Sequence, residues 1–141
     1  MDLETLEEIR QVKYRYLRCV DRKLWDEIGD VFTADATVDY GTQVFGKPLA
    51  MTGRDEIVAF FRSNMGPGII SVHSAGQPEI TVDGDTATAS TDYLFVRPTA
   101  EGVTLVATGR YRDRLVRHGS RWQFRERAIS LLGPPVGDVD G

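Results

Sequence analysis

The first third of the chain carries apolar residues with the period of an α-helix. Over residues 3–20 they recur at spacings of three and four residues, which predicts one amphipathic helix with a single buried stripe. Residues 21–23 either join this helix to a second one or continue it, because they include no glycine or proline. The second, short helix is predicted from the apolar residues Trp25, Ile28, Val31 and Phe32.

The pattern then changes to the two-residue alternation of β-strands. Residues 36–41 alternate in this way and place Tyr40 on the apolar side of a first strand. A third helix is predicted from four apolar residues ahead of the break at 66–68, namely Ile57, Val58, Phe60 and Phe61. Further strands, separated by short turns, are predicted at 69–75, 79–82, 86–96, 103–116 and 122–132.

Helices followed by a long run of strands indicate an α+β fold. We expect three N-terminal helices on one face of a cone-shaped, curved antiparallel sheet. Together they would enclose an apolar pocket for a small hydrophobic molecule. Residues 1–132 are predicted to form one domain, since 141 residues with 41% apolar content can bury a single core. The tail, residues 133–141, is predicted to be disordered.

Composition and charge exclude several classes of function. A net charge of −4 gives the chain no overall attraction to nucleic acid or to an anionic membrane. The lone cysteine, Cys19, excludes an internal disulfide framework and a multi-cysteine zinc site. The acidic, helical amino terminus is unlike a signal peptide, and no apolar run is long enough to span a membrane. We therefore expect a cytoplasmic protein.

A run of arginines could suggest nucleic-acid binding, since seven lie between positions 110 and 127. The strand period places Arg110, Arg112 and Arg114 on one face, where such residues are usually solvated or paired with acids. No RNA-binding aromatic motif accompanies them, so no nucleic-acid partner is expected. An exposed sheet face, with Tyr111, Val106 and Val116 on it, instead predicts a homodimer.

One acid interrupts the apolar stripe of the first helix. On a helical wheel, Asp21 falls about 40° from Leu17 and so points toward the core. A buried carboxylate is costly unless it pairs, binds a metal or takes up a proton. The partner this predicts is His73, which lies inside an apolar strand-like segment. Asp21 and His73 are therefore the candidate site, although a histidine in a strand is more often a hydrogen-bonded core residue than a base.

The chemistry open to this pair is proton transfer. A neutral imidazole can remove a proton, while a carboxylate on its other nitrogen fixes the tautomer and stabilises the imidazolium. Metal binding is the alternative, but two ligands fall short of the usual three or four. We therefore expect no metal.

Several segments together resemble the SnoaL-like branch of the nuclear transport factor 2-like superfamily. They are Tyr-Leu-Arg-Cys-Val-Asp at 16–21, Lys-Leu-Trp-Asp at 23–26, Val-Asp-Tyr at 38–40 and Val-His-Ser-Ala-Gly-Gln-Pro-Glu-Ile-Thr-Val-Asp at 72–83. The motifs are most similar to those of the bile acid 7α-dehydratase and scytalone dehydratase families, with hexachlorocyclohexane dehydrochlorinases further off. The resemblance implies a cofactor-free lyase and a homodimer.

The resemblance also implies which residues form the site. The family's base matches His73 and its orienting aspartate matches Asp21, while two tyrosines match Tyr16 and Tyr40. An arginine five residues beyond the last-strand tryptophan matches Arg127, a match that one strand slip would break. The second active-site histidine of the scytalone dehydratases has no counterpart here, so their polyketide-like substrate is not implied.

These residues could together eliminate water next to a carbonyl group. His73 would act as the base and then as the acid, Tyr16 and Tyr40 would donate hydrogen bonds, and Arg127 would stabilise negative charge. The substrate would be a steroid-like or polycyclic compound, and isomerisation is the related alternative. A small-molecule binding module without chemistry and a protein interaction domain remain open, because fold alone does not confer function.

Overall fold

Three helices lie in the first half of the chain, and seven strands make up most of the rest. The computed structural model describes residues 2–42, 44, 47–98, 102 and 104–133. The helices are α1 (Leu3–Arg22), α2 (Trp25–Ile28), which a 3-10 turn at Gly29–Val31 continues, and α3 (Arg54–Asn64). The strands are β1 (Phe32–Asp39), β2 (Ala50–Thr52), β3 (Val72–Ala75), β4 (Glu79–Asp83), β5 (Thr86–Pro98), β6 (Thr104–His118) and β7 (Arg121–Leu131).

The strands form one curved sheet in the order β2-β1-β7-β6-β5-β3. Both β3 and β4 pair with β5, at opposite ends of that long strand. The predicted α+β fold, with three helices on a curved sheet, is confirmed. Several details differ from the prediction. β1 pairs with β7 in parallel, so the sheet is mixed, and β2 is an additional strand of three residues. β1 already begins at Phe32, which was predicted in the second helix, and β3 begins at Val72 instead of residue 69.

The end of α1 determines where Asp21 lies. The helix stops at Arg22 because Lys23 adopts the left-handed conformation, with φ of 58°. Its amide and that of Leu24 then donate to the carbonyls of Val20 and Cys19, as in the Schellman motif. The Lys23 ammonium also donates to the carbonyl of Ile69, just ahead of β3. Asp21 is thereby held in the last turn of the helix, next to β3.

The core lies between the helices and the inner face of the sheet. α1 packs against β3 and β7, and α3 packs against β1. Cys19, near the C-terminal end of α1, is completely buried here. Tyr111 also faces inward, with 3% exposure, so its predicted place on an exposed dimer face is wrong. Because it alternates with Arg110 and Arg112 on β6, the period that puts those arginines outside puts Tyr111 inside.

The outer face of the sheet is polar over most of its length. Arg110 pairs there with Asp92 at 2.8 Å, and Arg114 pairs with Glu126 at 3.2 Å. The side chains of β1, β4, β5, β6 and β7 also form a groove of about 630 Å³ on this face. The enclosed apolar pocket stays a prediction. The predicted disordered tail lies outside the described residues, apart from Gly133.

None of the helices in the described part of the chain has both the length and the hydropathy that a membrane span requires.

Candidate active site

Asp21 and His73, the two residues that the sequence analysis paired, form a hydrogen bond between α1 and β3. Imidazole Nδ1 lies 2.6 Å from Asp21 Oδ1. The same oxygen accepts from the Ser71 hydroxyl at 2.9 Å, and Oδ2 accepts from the backbone amide of His73 at 2.8 Å. The side chains of His73 and Asp21 are 10% and 19% exposed. The Asp21 carboxylate therefore accepts three hydrogen bonds in a largely buried environment.

The Asp21 carboxylate also accepts a hydrogen bond from the backbone of the edge strand β3. β3 pairs with β5 on one side, and the amide of His73 on its other side donates to Asp21 instead of to a strand. Burial alone would raise the pKa of Asp21, but the hydrogen bonds from His73 and Ser71 lower it below its ordinary value. Asp21 is thus ionised at neutral pH and accepts all three hydrogen bonds as a carboxylate.

The ionised partner determines the tautomer of His73. A carboxylate can only accept, so Nδ1 of the neutral imidazole carries the proton and Nε2 carries the lone pair. The ring lies against Phe95, with centroids 4.8 Å apart, and near Tyr93 at 6.2 Å. An imidazole oriented in this way, with an unprotonated Nε2, has the form of a general base.

Tyr16 and Tyr40 form a second polar pair in the interior. Their hydroxyl oxygens are 3.3 Å apart, and the two residues are 2% and 6% exposed. Burial raises the pKa of Tyr16, and it raises the pKa of Tyr40 well above its ordinary value. Both hydroxyls therefore keep their protons at physiological pH, so each is able to donate a hydrogen bond.

Arg127 lies inside a box of aromatic rings. Its guanidinium carbon is 3.7 Å from the ring centroid of Tyr111, 4.1 Å from that of Tyr16 and 4.5 Å from that of Phe124. Its Nε is 3.1 Å from Asp113 Oδ1, and the other oxygen of that carboxylate is paired with the ammonium of Lys13. The five predicted site residues include no other cation, so Arg127 is the fixed positive charge of the site.

A β-bulge brings Arg127 into the interior. Trp122 and Phe124 of β7 face inward, and strict alternation would put Arg127 outside. Pairing with β6 shifts between Leu115 and Arg114, which leaves Arg125 as an extra residue on β7. Beyond the bulge the inward positions are odd-numbered, so Arg127 and Ile129 are both buried.

A continuous series of ring contacts connects the two polar pairs. From His73, the next ring is Tyr93 at 6.2 Å, which stacks on Tyr111 at 4.5 Å. Tyr111 is 6.1 Å from Tyr16, whose hydroxyl bonds to Tyr40. The structure therefore brings all five predicted site residues into one interior region.

Three further residues of this region, Lys13, Asp113 and Tyr93, were not predicted from the sequence. Lys13 follows Ile9 and precedes Leu17 at spacings of four, so the argument that identified Asp21 also applies to it. Asp113 lies on the apolar side of β6, between Tyr111 and Leu115. Both Lys13 and Asp113 were visible as charged residues at apolar positions, but no pattern along the chain could have paired them across 100 residues.

A metal site is not formed by the described residues, since no three histidine, cysteine, aspartate or glutamate side chains come together there. The chemistry available from the side chains themselves is proton transfer at His73 and stabilisation of negative charge by Tyr16, Tyr40 and Arg127.

Comparison with known families gives a match over nearly the whole chain. The model of the family described as SnoaL-like domain matches residues 1–128. This range includes every residue of the two polar pairs, and it also includes Arg127.

Solved structures share the fold. A candidate scytalone dehydratase from Novosphingobium aromaticivorans is 21% identical with a TM-score of 0.82, and the match covers 93% of this chain and 86% of that one. An NTF2-like protein with a cystatin-like fold from the same organism is 26% identical with a TM-score of 0.77, over 92% and 83%. A type 2 hexachlorocyclohexane dehydrochlorinase is 13% identical with a TM-score of 0.81, over 97% and 92%.

Proposed function

Because this chain belongs to the SnoaL-like domain family, we propose that it is a cofactor-independent lyase of the dehydratase type, or an isomerase. The observation that carries the proposal is the hydrogen bond of 2.6 Å between His73 and Asp21, which leaves Nε2 as a base. The names of two structural relatives, a dehydratase and a dehydrochlorinase, both denote eliminations. The many aromatic side chains around the site favour a small hydrophobic, steroid-like or polycyclic substrate.

The charges of the buried side chains balance when His73, the proposed base, is neutral. Lys13 and Arg127 are positive, Asp21 and Asp113 are negative, and these four sum to zero when His73 is neutral. A proton that moves from the substrate to His73 makes an imidazolium and an enolate, so the total charge does not change. Tyr16, Tyr40 and Arg127 would stabilise the negative charge on the enolate oxygen.

The proposed elimination takes place in two steps. In the first, His73 Nε2 takes a proton from the carbon next to a carbonyl group, and the electron pair of the C–H bond moves to form the enolate. In the second, the carbonyl re-forms, a carbon–carbon double bond forms, and the β-hydroxyl leaves with the electrons of its C–O bond. The imidazolium protonates this oxygen, which releases water and returns His73 to its neutral form.

The test is exchange of an acidic C–H proton with solvent. We expect the protein to accelerate deuterium uptake by 2-tetralone, a bicyclic ketone, or by a member of a panel of steroids, bile acids and aromatic polyketides. Replacing His73→Gln should slow exchange by about 100- to 10,000-fold, the usual contribution of a general base, with ligand binding largely kept. NMR measures the exchange and thermal shift measures the binding.

The matched control is His118→Gln, because His118 is the second histidine of the chain and lies exposed at the end of β6. Exchange should be the same in this variant as in the wild type. Unchanged exchange in His73→Gln would reject the assignment of the base.

A binding module that performs no chemistry is the alternative. It predicts that a ligand stabilises the fold, by about 2.7 kcal/mol at a hundredfold excess over its Kd, while its C–H protons do not exchange. Binding without exchange in the wild type would favour this alternative over a lyase.

We also propose a cytoplasmic homodimer with no nucleic-acid or membrane partner. Val72, Leu94 and Leu132 are 54%, 40% and 58% exposed, and Ile70, just ahead of β3, is 65% exposed. Val72 and Leu94 lie on the side of β3 and β5 opposite His73, so a second copy that covered them would leave the site inside each subunit.

A further inference from the structure

A cluster of three buried charges lies behind the Tyr16–Tyr40 pair. Asp113 of β6 is paired with the ammonium of Lys13 on α1, and it lies 3.1 Å from Nε of Arg127 on β7. The three residues are only 2–3% exposed. The proposed reaction uses Arg127 alone, so it leaves Lys13 and Asp113 without a role.

The guanidinium of Arg127 is held on three sides. The rings of Tyr111 and Tyr16 lie 3.7 Å and 4.1 Å from its central carbon, and Asp113 approaches its Nε edge. The Nε–H is not aligned with the carboxylate as a hydrogen bond, and Nη1 is buried without a hydrogen-bond partner among the described residues. A buried donor usually has an acceptor, so the acceptor for Nη1 is to be sought in a ligand.

A purely structural role explains this cluster poorly. Removing three charges from water opposes folding, and well-packed apolar residues of similar volume often stabilise a core at least as well. The charges instead make a connected path from Lys13 through Asp113 and Arg127 to the ring of Tyr16. The path ends at the ring whose hydroxyl the proposed reaction uses.

We propose that Lys13 and Asp113 are positioning residues of the site. Lys13 orients the Asp113 carboxylate, and Asp113 holds Arg127 against Tyr16, with Nη1 toward the oxygen on which negative charge develops. The inference rests on the proposed function and adds two residues to its site. The carbonyl oxygen of the substrate, which becomes the enolate oxygen, would be the acceptor for Nη1 of Arg127.

The first test needs no substrate. In the wild type, the Nε–H proton of Arg127 should give an NMR signal displaced by the ring currents of Tyr16 and Tyr111 and slow to exchange with water. The signal is assigned by its loss in Arg127→Lys. In Asp113→Asn, which keeps the shape and removes the charge, we expect it to move toward the position of exposed arginines. An unmoved signal in folded Asp113→Asn overturns the proposal.

The second test measures catalysis with 2-tetralone. Asp113→Asn should lower kcat for deuterium exchange at least about tenfold, less than the roughly 100- to 1000-fold cost of deleting an oxyanion donor, and KM should change little. Lys13→Met should give a smaller loss and Lys13→Arg should restore kcat, since arginine keeps the charge beside Asp113. Unchanged kcat in Asp113→Asn overturns the proposal.

The control is Asp92→Asn, which breaks the same kind of aspartate–arginine pair on the outer face of β5 and β6. Neither the Arg127 signal nor kcat should change in it. If Asp113→Asn does not fold, the variant Lys13→Met/Asp113→Asn removes one charge of each sign and is judged by the same two measurements. If the wild type exchanges no ligand proton, the proposed function is rejected. If the Arg127 signal does not move in the variants, only the positioning role of Lys13 and Asp113 is rejected.

Discussion

Lys13 shows how much the buried charges depend on one another. Its ammonium is 2% exposed, and burial together with the nearby charge of Arg127 lowers its pKa to about 8, despite the opposing effect of Asp113. In the unfolded chain, the ordinary lysine pKa of 10.5 applies. Between these two values the unfolded state binds more protons than the folded state does, so the free energy of unfolding should rise with pH.

We therefore predict that the protein becomes more stable as pH increases from about 8 to about 9.5, by roughly 1–2 kcal/mol. Below this pH range Lys13 no longer makes the free energy of unfolding depend on pH, because it is protonated in both the folded and the unfolded state. Within it, the buried thiol of Cys19 offsets part of the rise, since burial raises its pKa as well. Above it, the buried tyrosines act in the same opposing direction, since burial raises their pKa values, that of Tyr93 to about 12. Urea denaturation at several pH values measures the trend.

The comparison that isolates the effect is Lys13→Met against Lys47→Met, since Lys47 is exposed. The rise should disappear in the first variant and persist in the second. A rise that survives in Lys13→Met would show that another group causes it.

Gly109 of β6 leaves room for an aromatic ring of β5. Its cross-strand partner is Tyr93, whose ring lies flat over the glycine, and a Cβ added there would come within 2.5 Å of ring atoms and the hydroxyl. The missing side chain is what lets Tyr93 stack on Tyr111 beside His73. The absence of a side chain at Gly109 therefore determines where the Tyr93 ring can lie on the inner face of the sheet.

Gly109→Ala should consequently destabilise the protein by about 1–3 kcal/mol, the usual cost of overpacking. Removing the ring as well, in Gly109→Ala/Tyr93→Leu, should cost less than the sum of the two single replacements. Gly66→Ala is the matched control, since a Cβ at Gly66 meets nothing within 4 Å. Denaturant unfolding measures all four variants, and additive effects in the double variant would argue against the clash.

The whole molecule could be predicted from sequence to the extent that its elements have a clear period. The stripe of α1 and the alternation in the long strands were sufficient for the α+β architecture, and the misplaced charge of Asp21 led to His73 because few groups could neutralise it. The parallel pairing of β1 with β7 was not predictable, since alternation along a strand does not depend on its neighbour's direction. Arg127 was predicted as a site residue from the family resemblance alone. Its burial is explained by the bulge in β7.

Assembly is the remaining property of the whole molecule that can be tested. If a second copy covers the apolar patch of Val72, Leu94 and Leu132, light scattering at micromolar concentration should give twice the chain mass of 15.7 kDa. Leu94→Lys should shift the protein to the monomer, because a buried, unpaired ammonium is costly. Arg112→Lys, on the polar part of the same face, should remain a dimer. A wild type that is monomeric would reject the homodimer.

The single thiol of the chain has a practical consequence for work on this protein. Cys19 is fully enclosed by α1 and its neighbours, and burial raises its pKa, which suppresses the reactive thiolate. A fluorophore or spin label should therefore couple selectively to a cysteine introduced at an exposed position such as Ser63 of α3, without first removing the native one. Distances between two such labels, measured with and without a ligand, would then show whether the protein changes shape when the ligand binds.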